Sequence, residues 1–250
     1  YLFDALEEML GIGEEDAYLL DISRVSGGSE HARMMSSMPG LMTTTSLELV
    51  ETSEFAELPA LAPIVSNEKF DAEAQPGFTV DWAIDDILGY DEAERDVHLK
   101  YTDLTTGAMA YTFDAWTKID TYDNDKHTTT SRLATVRRAE EGEALESTFV
   151  GVIEPYEGAS NIASVTRLDV KDADGNVLPD SHVAVEVVLQ NGDRDLIIAA
   201  DPDLYSGEAL TVDGWDVELT GELASVRLTK DGQIKALSLS NGESLIVNGK

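Results

Sequence analysis

Short runs in which apolar and β-branched residues alternate with polar ones dominate the second half of the chain, and each has the length of one β-strand. The clearest are VAVEVVL (183–189), DLIIAA (195–200), ASVRLTK (224–230) and IKALSLS (234–240). Asn-Gly or Asp-Gly pairs, which favour tight hairpin turns, occur at 174–175, 191–192, 213–214, 231–232, 241–242 and 248–249. This alternation predicts an antiparallel β meander.

The first half of the chain also contains strand patterns. Residues 18–25 and 96–104 have strand character. The run STFVGVIEPY (147–156) is apolar on both alternating faces until Pro155, as in a central strand that is covered on both sides. Helical spacing of apolar residues over 3–11 predicts one short helix near the N-terminus. We therefore expect an all-β fold, a large antiparallel β-sandwich with little helix.

The two halves of the chain show no linker-like difference in composition. We therefore expect a single β-sandwich region over 1–250. This arrangement also allows two stacked subdomains divided near residue 170. The portions would then be 1–170 and 171–250, and the second would be the β meander.

The charge of the chain limits the partners that it can have. With 49 acidic and 17 basic residues, the formal net charge is -32 and the sequence pI is about 4.1. A surface of this sign repels polyanions at long range, so we expect no nucleic acid partner. Two causes fit this acidity: adaptation to a salty environment, and the solubility of a secreted domain.

Absent features exclude further classes of protein. The chain contains no Cys, which excludes disulfides, thiolate metal sites and Cys nucleophiles. No segment approaches the roughly 20 apolar residues that a membrane-spanning helix needs, so we expect no membrane partner.

Two stretches resemble a known family of enzymes. The first, YLLDISRVSGGSEH (18–31), is similar to a segment in the C-terminal β-sandwich region of heparinase II/III-like polysaccharide lyases, where a strand with Arg-Val leads into Gly-Gly and then His-Asp. The second, ESTFVGVIEPYEGASNIASVTRL (146–168), resembles the same family's Phe-Val-x-Val-Ile-Glu-Pro-Tyr strand and the Arg-bearing strand after it. A weaker similarity covers PGFTVDW (76–82).

The resemblance implies β-elimination of uronate-containing polysaccharides such as heparan sulfate or alginate. This chemistry needs a base, a group that stabilises the enolate, and an acid for the leaving oxygen. In the family, the Tyr and His residues with these roles lie largely on an α-helical toroid that precedes the sandwich. The resemblance therefore implies an anionic polysaccharide or oligosaccharide ligand and a helical domain of the same polypeptide as partners. It also implies a secreted or periplasmic location, and no activity for these 250 residues alone.

Three residues are candidates for the site that the resemblance implies. His31, which follows Gly27–Gly28, is the candidate catalytic residue; the alternative is a hydrogen-bonded loop histidine. Arg24 is a candidate for binding a uronate carboxylate, and the alternative is an ion pair within the protein. Trp82 is a candidate for stacking on a sugar ring, and the alternative is a core residue. A non-catalytic carbohydrate-binding or structural module is the alternative to the lyase as a whole.

The sequence gives little support for a metal. In the family, a His-Asp pair with a remote His can hold a structural zinc, but Ala32 occupies the Asp position here and Ser36 that of the usual second His. A zinc site would need His31 together with distant groups such as His98. The segment DADGNVLPD (172–180) resembles part of a calcium loop, although a hairpin turn fits its spacing better. We therefore expect no cofactor, with zinc or calcium as weak alternatives.

Overall fold

The computed structural model describes residues 17–58, 60–87, 89, 95–118, 127–140 and 142–250. Every regular element in these ranges is a β-strand and none is a helix, which confirms the all-β prediction; the helix expected over 3–11 lies outside the described residues. The strands are β1 Leu19–Ser26, β2 Glu30–Ser36, β3 Gly40–Thr45, β4 Val50–Glu51, β5 Val65–Ala74, β6 Phe78–Ile84, β7 Val97–Asp103, β8 Ala108–Lys118, β9 His127–Arg138, β10 Glu146–Glu157, β11 Ile162–Leu168, β12 Val170–Lys171, β13 Val183–Leu189, β14 Arg194–Ala199, β15 Leu210–Val212, β16 Val217–Leu228 and β17 Ile234–Val247.

The described residues divide into two compact units. The first unit is Tyr18–Ala159, and the second contains Ala17 and Ser160–Lys250. The division falls in the segment between β10 and β11. The prediction of a single region, with an optional boundary near residue 170, stays a prediction.

The first unit contains two antiparallel five-stranded sheets. Sheet A has the strand order β1-β10-β7-β6-β3, and sheet B has the order β2-β9-β8-β5-β4. The predicted central strand is confirmed, because β10 is hydrogen-bonded to β1 on one side and to β7 on the other.

The two sheets of the first unit pack face to face as a β-sandwich. One buried cluster combines Phe78, Val80 and Tyr101 from sheet A with Ala110 and Leu133 from sheet B. Side chains two positions apart on a strand point to the same face, so alternate positions of these strands supply the core. Burial of these apolar side chains stabilises the sandwich and sets the register of its inner strands.

A polar network also crosses the interior of the sandwich. The Asp103 carboxylate is fully buried and accepts hydrogen bonds from Tyr101 Oη at 3.1 Å and from Thr135 Oγ1 at 2.6 Å. Burial raises the pKa of Asp103 because it disfavours the charged carboxylate more than these hydrogen bonds favour it. The phenol ring of Tyr101 lies on Gly151, where a Cβ atom would come within 2.3 Å of the ring.

The second unit is built on sheet C, which has the order β11-β13-β14-β16-β15-β12, with β17 also paired to β16. The predicted turns at 191–192, 213–214 and 231–232 lie between consecutive strands and are confirmed. The turn predicted at 241–242 is wrong, because Asn241 and Gly242 lie inside β17. There the register shifts, and a Cβ atom added at Gly221 of β16 would come within 2.7 Å of the Gly242 Cα atom. The close approach of two backbones requires glycine at this bulge.

Candidate functional site

His31 lies on β2, directly after the loop that leads from sheet A to sheet B. Its Nδ1 atom is 2.9 Å from Ser147 Oγ on β10, and its Nε2 atom is 2.5 Å from the Gly27 carbonyl oxygen. A carbonyl only accepts, so Nε2 carries a hydrogen, and in the neutral ring Nδ1 accepts from the Ser147 hydroxyl. Both ring nitrogens of His31 are therefore engaged within the protein.

The loop before His31 has the backbone conformation that its two glycines permit. Gly27 and Gly28 have φ angles of 89° and 76°, in the left-handed region that favours glycine. The Gly27 amide donates to the Leu145 carbonyl at 2.8 Å, and the Leu145 amide donates to the Gly28 carbonyl at 2.9 Å. His31 thus fastens this loop to the start of β10. The geometry gives His31 a positioning role, and its catalytic role stays a prediction.

The other two predicted site residues lie in different environments. Arg24 is exposed on β1, opposite Thr148 of β10. Trp82 is only 1% exposed, and its Nε1 atom donates to the Ser131 carbonyl on β9 at 2.9 Å. The assignment of Trp82 as a ligand-binding residue is therefore corrected, because core side chains cover its ring and leave no face on which a sugar could stack.

A groove of about 670 Å³ opens at one edge of the sandwich in the first unit. It lies where β3, an edge strand of sheet A, faces the short edge strand β4 and the neighbouring strands β5 and β8 of sheet B. Polar side chains with a few apolar ones line it, among them Met42, Thr44, Glu51, Asn67, Lys69 and Asp114. The lining of the groove offers both hydrogen-bond donors and hydrogen-bond acceptors, which suits a hydroxyl-rich ligand.

Two hydrogen bonds hold the carboxylate of Asp114, which lines this groove. Its Oδ2 atom accepts from Asn67 Nδ2 at 2.7 Å, and its Oδ1 atom accepts from Ser131 Oγ at 2.6 Å. Asn67 has a φ of 52° and lies at a bulge where β5 shifts register against β8. Each carboxylate oxygen can accept a further hydrogen bond, so Asp114 presents fixed acceptors to the groove.

Trp116 continues the same face of β8, because it lies two positions beyond Asp114. The side chain is 43% exposed, and the ring centroid lies 5.6 Å from that of His127 on β9. The sequence does not distinguish this tryptophan from Trp82, since both occur in strand patterns. Only the packing of sheet A over one part of sheet B shows which indole is buried and which is accessible.

A second cluster of ionisable side chains lies on three adjacent strands of sheet A. Asp81 on β6 accepts hydrogen bonds from His98 Nδ1 on β7 at 2.7 Å and from the Tyr156 hydroxyl on β10 at 2.5 Å. The His98 and Tyr156 rings are stacked, with their centroids 4.7 Å apart. The hydrogen bond to Asp81 raises the pKa of His98, and burial together with Asp81 raises the pKa of Tyr156. Asp81 orients the imidazole as carboxylates do in catalytic dyads.

The described part of the chain contains no group of three or more His, Asp or Glu side chains positioned to hold a metal ion. Asp172 lies in the turn at 172–176, within the segment that resembles part of a calcium loop. Its carboxylate accepts hydrogen bonds from the Asp174 and Asn176 amides at 3.0 and 2.8 Å and from Asn176 Nδ2 at 2.9 Å. These bonds hold the pKa of Asp172 below its ordinary value and close the turn.

No protein-family model matches the chain, and a search of curated proteins finds no similar sequence. Among the described residues, no helix is long and apolar enough to cross a membrane.

Proposed function

We propose that this chain is the C-terminal β-sandwich region of a heparinase II/III-like polysaccharide lyase that cleaves uronate-containing glycans by β-elimination. The main catalytic residues lie on an N-terminal α-helical domain of the same polypeptide, and the sandwich contributes one wall of the cleft. Because the substrate is an extracellular polymer, the complete protein acts outside the cell or in the periplasm.

One observation carries the proposal: the two stretches that resemble the family are neighbouring strands. β1 pairs with β10 from Leu19 opposite Ile153 to Ser26 opposite Glu146. His31, which follows Gly-Gly in the first stretch, is hydrogen-bonded to Ser147 in the second. The weaker third stretch joins them, since its Asp81 accepts from Tyr156. Three stretches that are far apart in the sequence therefore meet in one part of the fold, and this shared location supports the proposal.

The proposal is tested with the complete polypeptide that contains this chain. β-Elimination leaves an unsaturated uronate that absorbs ultraviolet light, so alginate, heparan sulfate and related uronate polymers are assayed for this product at several salt concentrations. Absorbance that grows with time supports the lyase. A native polypeptide of about 27.1 kDa that forms no product from any of these polymers contradicts it.

A non-catalytic carbohydrate-binding module is the second candidate. Two observations favour it: both ring nitrogens of His31 are engaged by protein atoms, and the groove between β3 and the strands β4, β5 and β8 offers a binding surface that needs no catalytic group. Retention of a polysaccharide without cleavage by the complete polypeptide would support this candidate over the lyase.

A further inference from the structure

We propose that β17 pairs antiparallel with β17 of a second copy of this chain, about a two-fold axis that passes between the two Ser238 residues. The second copy then adds its own strand to the open edge of sheet C, and the sheet continues from one copy into the other. This inference concerns assembly, and it does not depend on the proposed function.

β17 lies at an edge of sheet C. It is the longest of the described strands, with 14 residues, and β16 is the only described strand that pairs with it. In an antiparallel sheet, some backbone N–H and C=O groups of each strand point to one neighbour and the rest to the other. The side of β17 that faces away from β16 therefore presents backbone groups that no described strand pairs. Such a row of groups is a template for another extended strand.

The segment 236–240 is the regular part of this edge. The register between β17 and β16 shifts on either side of it, next to Ile234 and next to Gly242. Within the segment, every residue from Ala236 to Ser240 has its own partner in β16. Because a bulge bends a strand and disrupts its ladder, a second strand can follow β17 best along this segment. Ser238 is its middle residue, so a two-fold axis there uses the whole segment in both copies.

Two exposed leucines in this segment supply the apolar contact. Leu237 and Leu239 are 47% and 37% exposed, whereas their partners on β16, Val226 and Ala224, are buried in the core of the second unit. Residues directly opposite each other on neighbouring strands share one face, so the two leucines extend this core to the edge of the sheet. The two-fold axis at Ser238 places Leu237 of each copy opposite Leu239 of the other. The apolar layer then continues across the axis.

The charge of the segment favours a second copy of this chain as the occupant. Residues 236–240 carry no charge, although the chain has a net charge of -32. The neighbouring Lys235 ammonium is 2.8 Å from the Asp193 carboxylate, so its charge is balanced within the chain. A basic partner, which the net charge would attract, meets no carboxylate in this segment. Two copies meet here without like charges in contact, and only the repulsion between their whole surfaces opposes them.

The first test is the mass of the chain in solution, measured by sedimentation equilibrium at about 0.1 M and about 1 M NaCl. We expect a dimer of twice 27.1 kDa. Its dissociation constant should fall at least ten-fold at the higher salt concentration, because the screening length shortens from about 10 Å to about 3 Å.

A charge placed in the apolar contact should prevent this dimer from forming. We expect Leu239→Lys to weaken dimerisation at least ten-fold, although it reduces the net negative charge and hence the overall repulsion. Leu204→Lys is the matched control, because it makes the same change in charge at a side chain that is 56% exposed between β14 and β15. The control should dimerise like the unmodified chain.

The second test examines the register by disulfide cross-linking. The chain contains no Cys, so an introduced Cys can link only to the same position of a second copy. Directly opposite residues in antiparallel strands have Cα atoms about 4.5–5.5 Å apart, which a disulfide can span. Ser238→Cys should therefore form a covalent dimer under mild oxidation. Ser244→Cys is the matched control, since Ser244 is also half-buried on β17 but lies beyond the bulge at Gly242, far from its counterpart across the axis.

Three outcomes overturn the proposal. A chain that stays monomeric at about 1 M NaCl leaves the edge of β17 to a strand of another protein. A dimer that Leu239→Lys leaves unchanged forms through another surface. Equal cross-linking of Ser238→Cys and Ser244→Cys excludes the proposed register. If Leu239→Lys fails to fold, as judged from its thermal unfolding, the two Cys variants still give the test.

Discussion

His31 on β2 hydrogen-bonds Ser147 on β10 across 116 positions of sequence, with 2.9 Å between Nδ1 and Oγ. The bond joins a strand of sheet B to a strand of sheet A at the point where the chain passes between the sheets. The other ring nitrogen, Nε2, donates to the Gly27 carbonyl, so one imidazole is hydrogen-bonded both to the loop and to β10. A residue that the sequence marks as a catalytic candidate thus has a structural task in the fold.

Replacing His31 should therefore destabilise the first unit. His31→Ala removes two hydrogen bonds of about 1 kcal/mol each, so we expect the free energy of unfolding to fall by about 1–2 kcal/mol. Chemical denaturation measures this loss. Ser147→Ala should cost less, and the double variant should show coupling between the two residues. Additive effects of the two substitutions would mean that the bond contributes nothing to stability.

Gly151 is the position in β10 where a side chain has no room. The Cβ atom of Gly151→Ala would lie 2.3 Å from the ring of Tyr101, which is itself fully buried. We expect the free energy of unfolding to fall by about 1–3 kcal/mol, which is the usual cost of overpacking a core. Gly158→Ala is the control, because a Cβ atom there meets no other atom within 4 Å. Its only cost in stability comes from the positive φ of 69°. Equal effects in both variants would contradict the packing argument.

The bond between His98 and Asp81 should make stability depend on pH. The hydrogen bond to Asp81 raises the pKa of His98 in the folded protein above its ordinary 6.5. The stabilisation of the folded state by protonated His98 is therefore fully present below the unfolded-state pKa and is lost as pH rises through the folded-state pKa. We expect His98→Gln to lower the unfolding midpoint more at about pH 5.5 than at about pH 9.

The pKa of His98 can also be measured directly by NMR titration of the imidazole. Asp81→Asn should lower it, whereas Asp96→Asn should lower it less, because Asp96 is exposed and its carboxylate lies 3.2 Å from Nε2 rather than 2.7 Å from Nδ1. A His98 pKa that does not respond to Asp81→Asn would refute the assigned cause.

Salt should stabilise the chain strongly near neutral pH. The net charge of -32 repels itself, and raising NaCl from about 0.1 M to about 1 M shortens the screening length from about 10 Å to about 3 Å. We expect the midpoint of thermal unfolding to rise with salt. Near the sequence pI of about 4.1 the net charge is small, so the same increase in salt should have little effect there. An equal response at both pH values would point to a cause other than charge repulsion.

The alternation of apolar and polar residues predicts a strand correctly where the apolar positions of the run are the buried ones. The run over 183–189 forms β13 with the same bounds, and the run over 147–156 lies within β10. The Asn-Gly pair at 241–242 shows the limit of such patterns. A left-handed conformation at Asn241, with φ of 50°, serves a bulge as well as a turn, and only the approach of Gly221 selects the bulge.

The candidate site could be predicted only in part. The left-handed conformation of the glycine loop follows from the local sequence, but the partners of His31 do not. Asp81, His98 and Tyr156 meet because β6, β7 and β10 are neighbours in sheet A, and no spacing along the chain encodes that order. Trp82 and Trp116 have similar surroundings in the sequence, and their opposite exposures depend on where sheet A covers sheet B.

The all-β class, the acidic surface and most strand positions follow from the amino-acid sequence, because alternation, charge and turn residues act over a few neighbouring positions. Strand pairing, the exposure of each indole and the hydrogen-bond partners of His31 follow only from the packed fold. These outcomes depend on contacts between residues far apart in the chain, whose energies are set by how two sheets pack and not by any local preference.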